Sequence, residues 1–150
     1  LKTLLRQFNE KGYTDPYTKY ESNGKNGNIL KLQIDNYTYE DEFYGGEPYC
    51  GNETIWKANK DIFRCVYFGK VEKGVNFADI YSFLRKALSL GPDGDCVHRG
   101  PTEHVEGDLK YLNGCIGDIF EFHQIEQIFL NSKRVYKAHF VGGLINLQKE

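Results

Sequence analysis

The sequence predicts an α+β fold in which two tandem repeats, each a helix followed by an antiparallel β-meander, form one pseudo-symmetric domain. Two observations predict this class. Short runs rich in aromatic and β-branched residues alternate with clusters of Gly, Asn and Pro, which is typical of strands joined by turns. In addition, the stretch that begins at Glu53 resembles the stretch that begins at Glu126. The chain of 150 residues suits a single domain, 1–150, with halves of about 1–73 and 74–150.

The similarity between the two stretches needs no gap, because each residue of the second follows its counterpart by 73 positions. A constant offset of about half the chain indicates a duplicated unit. Turn residues inside each stretch, Ala58-Asn59-Lys60 and Asn131-Ser132, predict that each copy is a β-hairpin. Identical residues occupy four aligned pairs of positions: Glu53 and Glu126, Ile55 and Ile128, Lys60 and Lys133, Gly69 and Gly142.

One helix is predicted in each half. The clearer one spans Phe77–Leu88, because apolar residues recur there at helical spacing, Asn76 can cap its first turn and Gly91 precedes a proline that ends it. The first helix is predicted from a shorter apolar stripe that ends before Gly12 and consists of Leu1, Leu4, Leu5 and Phe8.

Further strands are expected next to the hairpins. Alternation of apolar and polar residues predicts a strand over Leu30–Ile34, and a second strand over Tyr37–Tyr44 precedes the first hairpin. Either Asp108–Asn113 or Ile116–Phe122 precedes the second hairpin. Two long loops are predicted from their Gly, Asp, Asn and Pro content, Tyr13–Asn28 and Gly91–Gly107.

Charge and composition exclude several classes of protein. With 19 basic and 21 acidic residues the net charge is −2, so no nucleic-acid partner is expected. The longest apolar run, Cys65–Phe68, is far shorter than the roughly 18 residues of a membrane span, so no membrane partner is expected. The four cysteines lie far apart, which favours reduced thiols and a cytoplasmic location. No cofactor is expected.

The densest polar feature is the stretch between Tyr37 and Tyr49, which contains four tyrosines and four acidic residues. Paired carboxylates such as Asp41 and Glu47 can perform acid–base chemistry, as in glycosidases. Alternatively, these charges belong to a solvated strand edge, which they protect against pairing with another chain. The solvated edge is the simpler interpretation of any single carboxylate.

Glu53 and Glu126 are a separate case because they occupy equivalent positions of the similar stretches. We expect each to accept hydrogen bonds from loop amides of its own half, which is a structural role. Alternatively, both reach a central cleft and bind a cation or an amine. Four residues of the second half are of the types that bind zinc, but their spacing matches no paired-ligand pattern and no metal site is expected: Cys96, His98, His104 and Cys115.

Arg99, followed by Gly and Pro, is the best single candidate for binding an anion. A guanidinium group offers a planar fork for a carboxylate or a phosphate. The alternative is an internal ion pair to Asp108 or Glu106 that fixes the long loop to the second half. The sequence favours neither interpretation over the other.

Several short motifs, in order and spacing, resemble a bacterial family, domain of unknown function family 5680. In the first half they are Asp41-Glu-Phe-Tyr-Gly-Gly-Glu47 and Gly51-x-Glu53-x-Ile55-Trp56. In the second half they are Arg99-Gly-Pro101, Gly107-Asp108, Tyr111, Asn113, Gly117-Asp118, Glu126, Val135-Tyr136 and Gly142-Gly-Leu-Ile145. Some relatives look like the C-terminal part of helix-turn-helix regulators, so the resemblance implies sensing or interaction rather than catalysis.

These observations together predict a non-enzymatic domain that binds or senses a small molecule in a cleft between the two pseudo-symmetric halves. One alternative is a small hydrolase or lyase that uses acidic residues of the first half. Another is a protein-interaction module, in which an exposed strand edge forms a homodimer. The residues predicted to line the cleft and bind the ligand are Tyr39, Asp41, Glu47, Trp56, Arg99, Asp108 and Tyr111.

Overall fold

Among the residues that the structure describes, nine antiparallel strands form one continuous sheet and two short helices pack against it. The computed structural model describes residues 1–94 and 96–147. The helices are α1 (Lys2–Lys11) and α2 (Phe77–Ser89). The strands are β1 (Glu21–Ser22), β2 (Gly27–Ile34), β3 (Tyr37–Gly45), β4 (Tyr49–Lys57), β5 (Lys60–Val71), β6 (Glu103–Glu106), β7 (Leu109–Gly117), β8 (Phe122–Leu130) and β9 (Lys133–Leu144).

The predicted fold class, two tandem helix-then-meander repeats in an α+β domain, is wrong. The strand order is β1-β2-β3-β4-β5-β9-β8-β7-β6, so β5 and β9 pair in the middle of a single sheet. The fold is β-rich, since its helices have only 10 and 13 residues. The physical reason for the continuous sheet is that the last strand of each meander has an unpaired edge. Pairing β5 with β9 satisfies the backbone groups of both edges.

The two hairpins β4–β5 and β8–β9 were predicted at these positions, and their turns have the same geometry. Both central residues have positive φ, 48° and 64° at Ala58 and Asn59, and 48° and 65° at Asn131 and Ser132. Such two-residue turns match the right-handed twist of the strands that they join. Each hairpin also contains one register shift, between Ile55 and Trp56 in the first and between Ile128 and Phe129 in the second.

One face of the sheet is buried and the other is largely solvated. Side chains alternate between the faces of a strand, and in β5 Phe63 and Cys65 are buried while Arg64 and Val66 are exposed. The register places the buried residues of the neighbouring strands on this same face. It also carries buried polar side chains, namely Glu53, Asn113, Gln124 and Glu126.

Both helices cover the buried face. Phe8 of α1 stacks on Tyr39 of β3, with 4.8 Å between the ring centroids, and Tyr81 of α2 contacts Tyr136 of β9 edge-on. Helix α2 confirms the predicted helix: the side chain of Asn76 accepts a hydrogen bond from the backbone N–H of Ala78 and caps the first turn. The two helices thereby close the core over different parts of the sheet.

Residues 96–100, which we call the covering segment, lie buried against the second half of the sheet. The side-chain amides of Gln124 and Asn113 donate hydrogen bonds to the backbone carbonyls of His98 and Gly100, at 2.9 Å each. A side chain at Gly100 would meet the hydroxyl of Tyr111 at 2.6 Å, so this approach requires glycine. The segment fills the space over β7 and β8.

Candidate functional site

A cavity of about 840 Å³ occupies the buried face of the first half of the sheet. Its walls come from α1, the chain that follows it, strands β2 to β5 and one side of α2. Aromatic rings form most of the lining, contributed by Phe8, Tyr13, Tyr20, Tyr39, Phe43, Tyr49, Tyr67, Tyr81 and Phe140. Cavities of this size and character are typical of sites for small organic molecules.

Asp41 is the central polar group of the cavity. It lies on β3 directly opposite Glu53 of β4, so the pleat directs both carboxyl groups to the same face. Its Oδ1 accepts a hydrogen bond of 2.6 Å from the hydroxyl of Tyr67. Burial and the negative charge of Glu53 raise the pKa of Asp41 to about 7, although Tyr67 and Arg99 act in the opposite direction. Asp41 therefore exchanges its proton near neutral pH.

Glu53 is buried beside the cavity and is paired with a residue of the covering segment. Its Oε2 lies 2.9 Å from Nε2 of His98, and both side chains are almost completely buried. Burial alone would raise the pKa of Glu53, but the contact with His98, the charge of Arg99 and the hydroxyl of Tyr39 lower it below its usual value. Within the described residues, neither Glu53 Oε2 nor the ring nitrogens of His98 form a well-aligned hydrogen bond. The contact is thus electrostatic rather than a fully satisfied pair.

Glu126 occupies the corresponding place in the second half, and its pairing is complete. Arg99 donates from Nε to Oε1 at 2.9 Å and from Nη2 to Oε2 at 3.0 Å, and Tyr111 donates to Oε1 at 2.9 Å. Burial opposes the charge of Arg99, but Glu126 raises the pKa of the guanidinium well above its usual value. The guanidinium carbon also lies 4.6 Å from the centre of the Phe140 ring. Arg99 is therefore held in one position as a fixed cation.

The residues predicted to line the cleft fall into two groups. Tyr39, Asp41 and Arg99 line the cavity, which lies over the first half of the sheet. Arg99 forms its ion pair with Glu126 and not with Asp108 or Glu106, the two partners suggested from the sequence. The other four residues lie elsewhere: Glu47, Trp56, Asp108 and Tyr111.

Each of these four has another environment. Glu47 accepts hydrogen bonds from the Val71 amide and the Tyr81 hydroxyl, which fixes the β3–β4 connection. Trp56 lies on the opposite face of the sheet under the guanidinium of Arg64. Asp108 lies in the β6–β7 turn, where its backbone carbonyl accepts a hydrogen bond from the amide of Asn131. Tyr111 is buried and donates a hydrogen bond to Glu126.

Tyr67 and His98 complete the polar floor but were not predicted for it. Tyr67 lies on the same side of β5 as the buried Phe63 and Cys65, so alternation along the strand could have placed it on this face. Its contact with Asp41 depends on the pairing of β3, β4 and β5, which the sequence does not specify. For His98 no sequence signal exists, because the covering segment has no regular pattern.

Residues 1–94 and 96–147 contain neither a candidate metal centre nor a candidate membrane-spanning helix. There, no group of three or more His, Cys, Asp and Glu side chains is arranged to hold a metal ion, and none of the four cysteines forms a disulfide. In the same part of the chain, no helix combines the length and the apolar character needed to cross a membrane.

Fold and site together define a class: an antiparallel β-sheet protein with an aromatic cavity that encloses a pair of carboxyl groups. The family model of DUF5680, a domain of unknown function, matches residues 41–145, and the chain belongs to this family. The resemblance seen in the short sequence motifs is thus confirmed. A search of curated proteins and a search of solved structures found no match.

Proposed function

We propose that this protein binds a small organic molecule in the aromatic cavity. The observation that carries the proposal is the combination of a volume of about 840 Å³, a lining of tyrosine and phenylalanine rings, and an ionisable carboxyl group at the floor. Apolar walls supply binding free energy by burying the ligand surface, and a few polar groups fix its orientation. A structural core of this kind would be filled by side chains instead.

The site suits ligand binding because the carboxyl group of Asp41 can accept further hydrogen bonds. Its carboxyl group accepts one hydrogen bond from Tyr67, whereas an ionised carboxylate can accept about four. The side chain is only half-buried although it lies deep in the protein, since the cavity reaches it. A ligand would therefore complete the hydrogen bonding of Asp41.

A variant that fills the cavity tests this proposal. Ser82 of α2 is exposed and lines the cavity, so Ser82→Trp places an indole in its mouth. Ala78→Trp puts the same side chain on an exposed site of the same helix outside the cavity and serves as the control. A library of ring-containing fragments is screened by saturation-transfer NMR against the three proteins. We expect fragments that bind the wild type and Ala78→Trp but not Ser82→Trp. Absence of any fragment with that pattern contradicts the proposal.

Acid–base catalysis in the same cavity is a second candidate function, favoured by the pKa of Asp41 near 7. Asp41 and Tyr67 would exchange a proton with a bound substrate, as the hydrolase or lyase alternative requires. Glu47 accepts hydrogen bonds from the Val71 amide and the Tyr81 hydroxyl, so it takes no part in this proton transfer. Turnover of a bound fragment that disappears in Asp41→Asn would identify an enzyme, and binding without turnover would favour the sensor.

A further inference from the structure

The charges at the floor of the cavity are unbalanced. Two carboxyl groups, those of Asp41 and Glu53, line it together with Arg99. Arg99 donates two hydrogen bonds to a third carboxyl group, that of Glu126, and lies within reach of the charges of Asp41 and Glu53. His98 lies against Glu53. Within the described part of the chain, no Lys, Arg or His forms an ion pair with Asp41.

The second half of the sheet shows how this fold satisfies a carboxylate at such a place. Glu126 is opposite Asn113 in the register of β7 and β8, as Glu53 is opposite Asp41 in the register of β3 and β4. There the chain supplies its own cation, the guanidinium of Arg99, whose carbon lies 4.6 Å from the centre of the Phe140 ring while it bonds to Glu126. The first half has one more carboxyl group than the second, and the basic side chain that pairs there, His98, contacts Glu53 and not Asp41.

The walls next to Asp41 are also suited to a positive charge. Tyr67 donates to Asp41, and its ring lies 5.5 Å from that of Phe140 and 6.0 Å from that of Tyr49, measured between centroids. The faces of such rings carry partial negative charge and attract ammonium, amidinium and guanidinium groups. A neutral or anionic ligand would leave this potential uncompensated.

We propose that the ligand of the cavity is an organic cation, whose positively charged nitrogen group pairs with Asp41 and whose apolar part lies between the tyrosine rings. This inference rests on the proposed function, since it assigns the chemical class of the molecule that the same cavity binds. Arg85 and Lys86 lie on the exposed side of α2 at the mouth of the cavity. Their positive charges oppose a cation at the mouth, so the negative potential that would hold the ligand is confined to the floor around Asp41.

Three probes of one shape and different charge test the inference: benzamidine, benzamide and benzoate. Binding to the full chain is followed at about pH 8, where Asp41 is ionised, by two-dimensional amide NMR. We expect benzamidine to bind at least about tenfold more tightly than benzamide and benzoate not to bind, with shifts centred on β3 and β5. Equal or tighter binding of benzamide or benzoate, or no benzamidine binding, overturns the inference.

Two variants locate the effect. Asp41→Asn removes the charge. The second half has an asparagine, Asn113, at the corresponding place, so the fold accommodates this side chain there. We expect benzamidine to lose its advantage of about tenfold over benzamide. Asp35→Asn, which removes an exposed carboxyl group of the β2–β3 turn outside the cavity, is the control and should retain it. An unchanged preference in Asp41→Asn overturns the pairing with Asp41. Neutral fragments that Ser82→Trp excludes would still support small-molecule binding, so the two proposals fail separately.

Discussion

The two buried carboxylates of this sheet differ in how they are satisfied, although they occupy corresponding positions. We call Asp41, Glu53, Tyr67 and His98 the Glu53 corner, and Arg99, Tyr111 and Glu126 the Glu126 corner. In the Glu126 corner both carboxylate oxygens accept well-formed hydrogen bonds from the chain itself. Among the described residues, the Glu53 corner has no such set of hydrogen bonds to Glu53. Glu53 instead faces a second carboxyl group, that of Asp41, makes an electrostatic contact with His98 and borders the open cavity.

The comparison separates structure from function within one fold. A fully paired buried charge holds the covering segment on the second half and leaves no room for a ligand. An incompletely paired group beside a cavity costs stability and keeps a site available for binding, as functional sites commonly do. The stability of the protein should therefore depend on the ion pair between Arg99 and Glu126 in the Glu126 corner. In the Glu53 corner, removal of the charge of Asp41 should make the protein more stable.

The largest effect is expected from Arg99→Met. This change leaves Glu126 buried without its cation, which costs about 3–5 kcal/mol of unfolding free energy. Urea denaturation followed by circular dichroism measures the loss. Arg6→Met, which breaks an exposed pair with Glu10, is the control and should change stability by no more than about 0.5 kcal/mol.

A double variant keeps this prediction testable where Arg99→Met alone fails to fold. Replacing Glu126 by Gln in the same chain removes the unpaired charge, so Arg99→Met/Glu126→Gln should recover a large part of the loss. A double variant as unstable as Arg99→Met would show that the loss comes from the packing of Arg99 on Phe140 and not from the charge. The two corners would then differ less than the hydrogen bonds indicate.

A smaller effect of opposite sign is expected from Asp41→Asn. Asp41 has a pKa of about 7 in the folded protein against 3.8 in the unfolded chain, because it is buried and faces Glu53. Between these values the folded protein holds a proton that the unfolded chain has released, so stability falls as the pH rises and the cost is complete above about pH 7. The variant should be more stable than the wild type by on the order of 2 kcal/mol at about pH 8 and equal to it at about pH 4.

Urea denaturation at the two pH values checks this difference. The hydrogen bond from Tyr67 and the charge of Arg99 lower the pKa of Asp41, so the value of about 7 already includes their effects. Asp35→Asn, which removes an exposed carboxyl group of the β2–β3 turn outside the cavity, is the control for the loss of one negative charge. A wild type whose advantage over Asp41→Asn grows with pH would mean that the ionised carboxylate is stabilised in the fold.

Local sequence signals sufficed for most elements of this fold. Helical periodicity and an Asn cap predicted α2, and turn residues between aromatic runs predicted both hairpins. The sheet order was not predictable, because the pairing of β5 with β9 joins residues about 73 positions apart. Because the sequence does not reveal that β5 pairs with β9, the similar stretches that begin at Glu53 and Glu126 suggested two tandem repeats rather than two halves of one sheet.

The candidate site was predictable only in part, for a related reason. Asp41 and Tyr39 attracted attention because acidic and aromatic residues concentrate in β3, and Arg99 because it precedes Gly and Pro. Trp56 was predicted to line the cleft, but alternation along β4 places it on the solvated face. The partners that give the site its chemistry, Tyr67 and His98, reach it through long-range packing that no local pattern encodes.

The smallest effect concerns the hairpin turns, where the two halves again have the same geometry with different residues. Ala58 has the φ of 48° that Asn131 has in the second hairpin, but alanine adopts this left-handed conformation less readily than asparagine. Ala58→Asn should raise the unfolding free energy by about 0.5 kcal/mol, and Asn131→Ala should lower it by a similar amount. Thermal unfolding should show shifts of about 1–2 °C in opposite directions. Equal responses of the same sign would indicate that strand contacts, rather than the turns, fix the conformation of these loops.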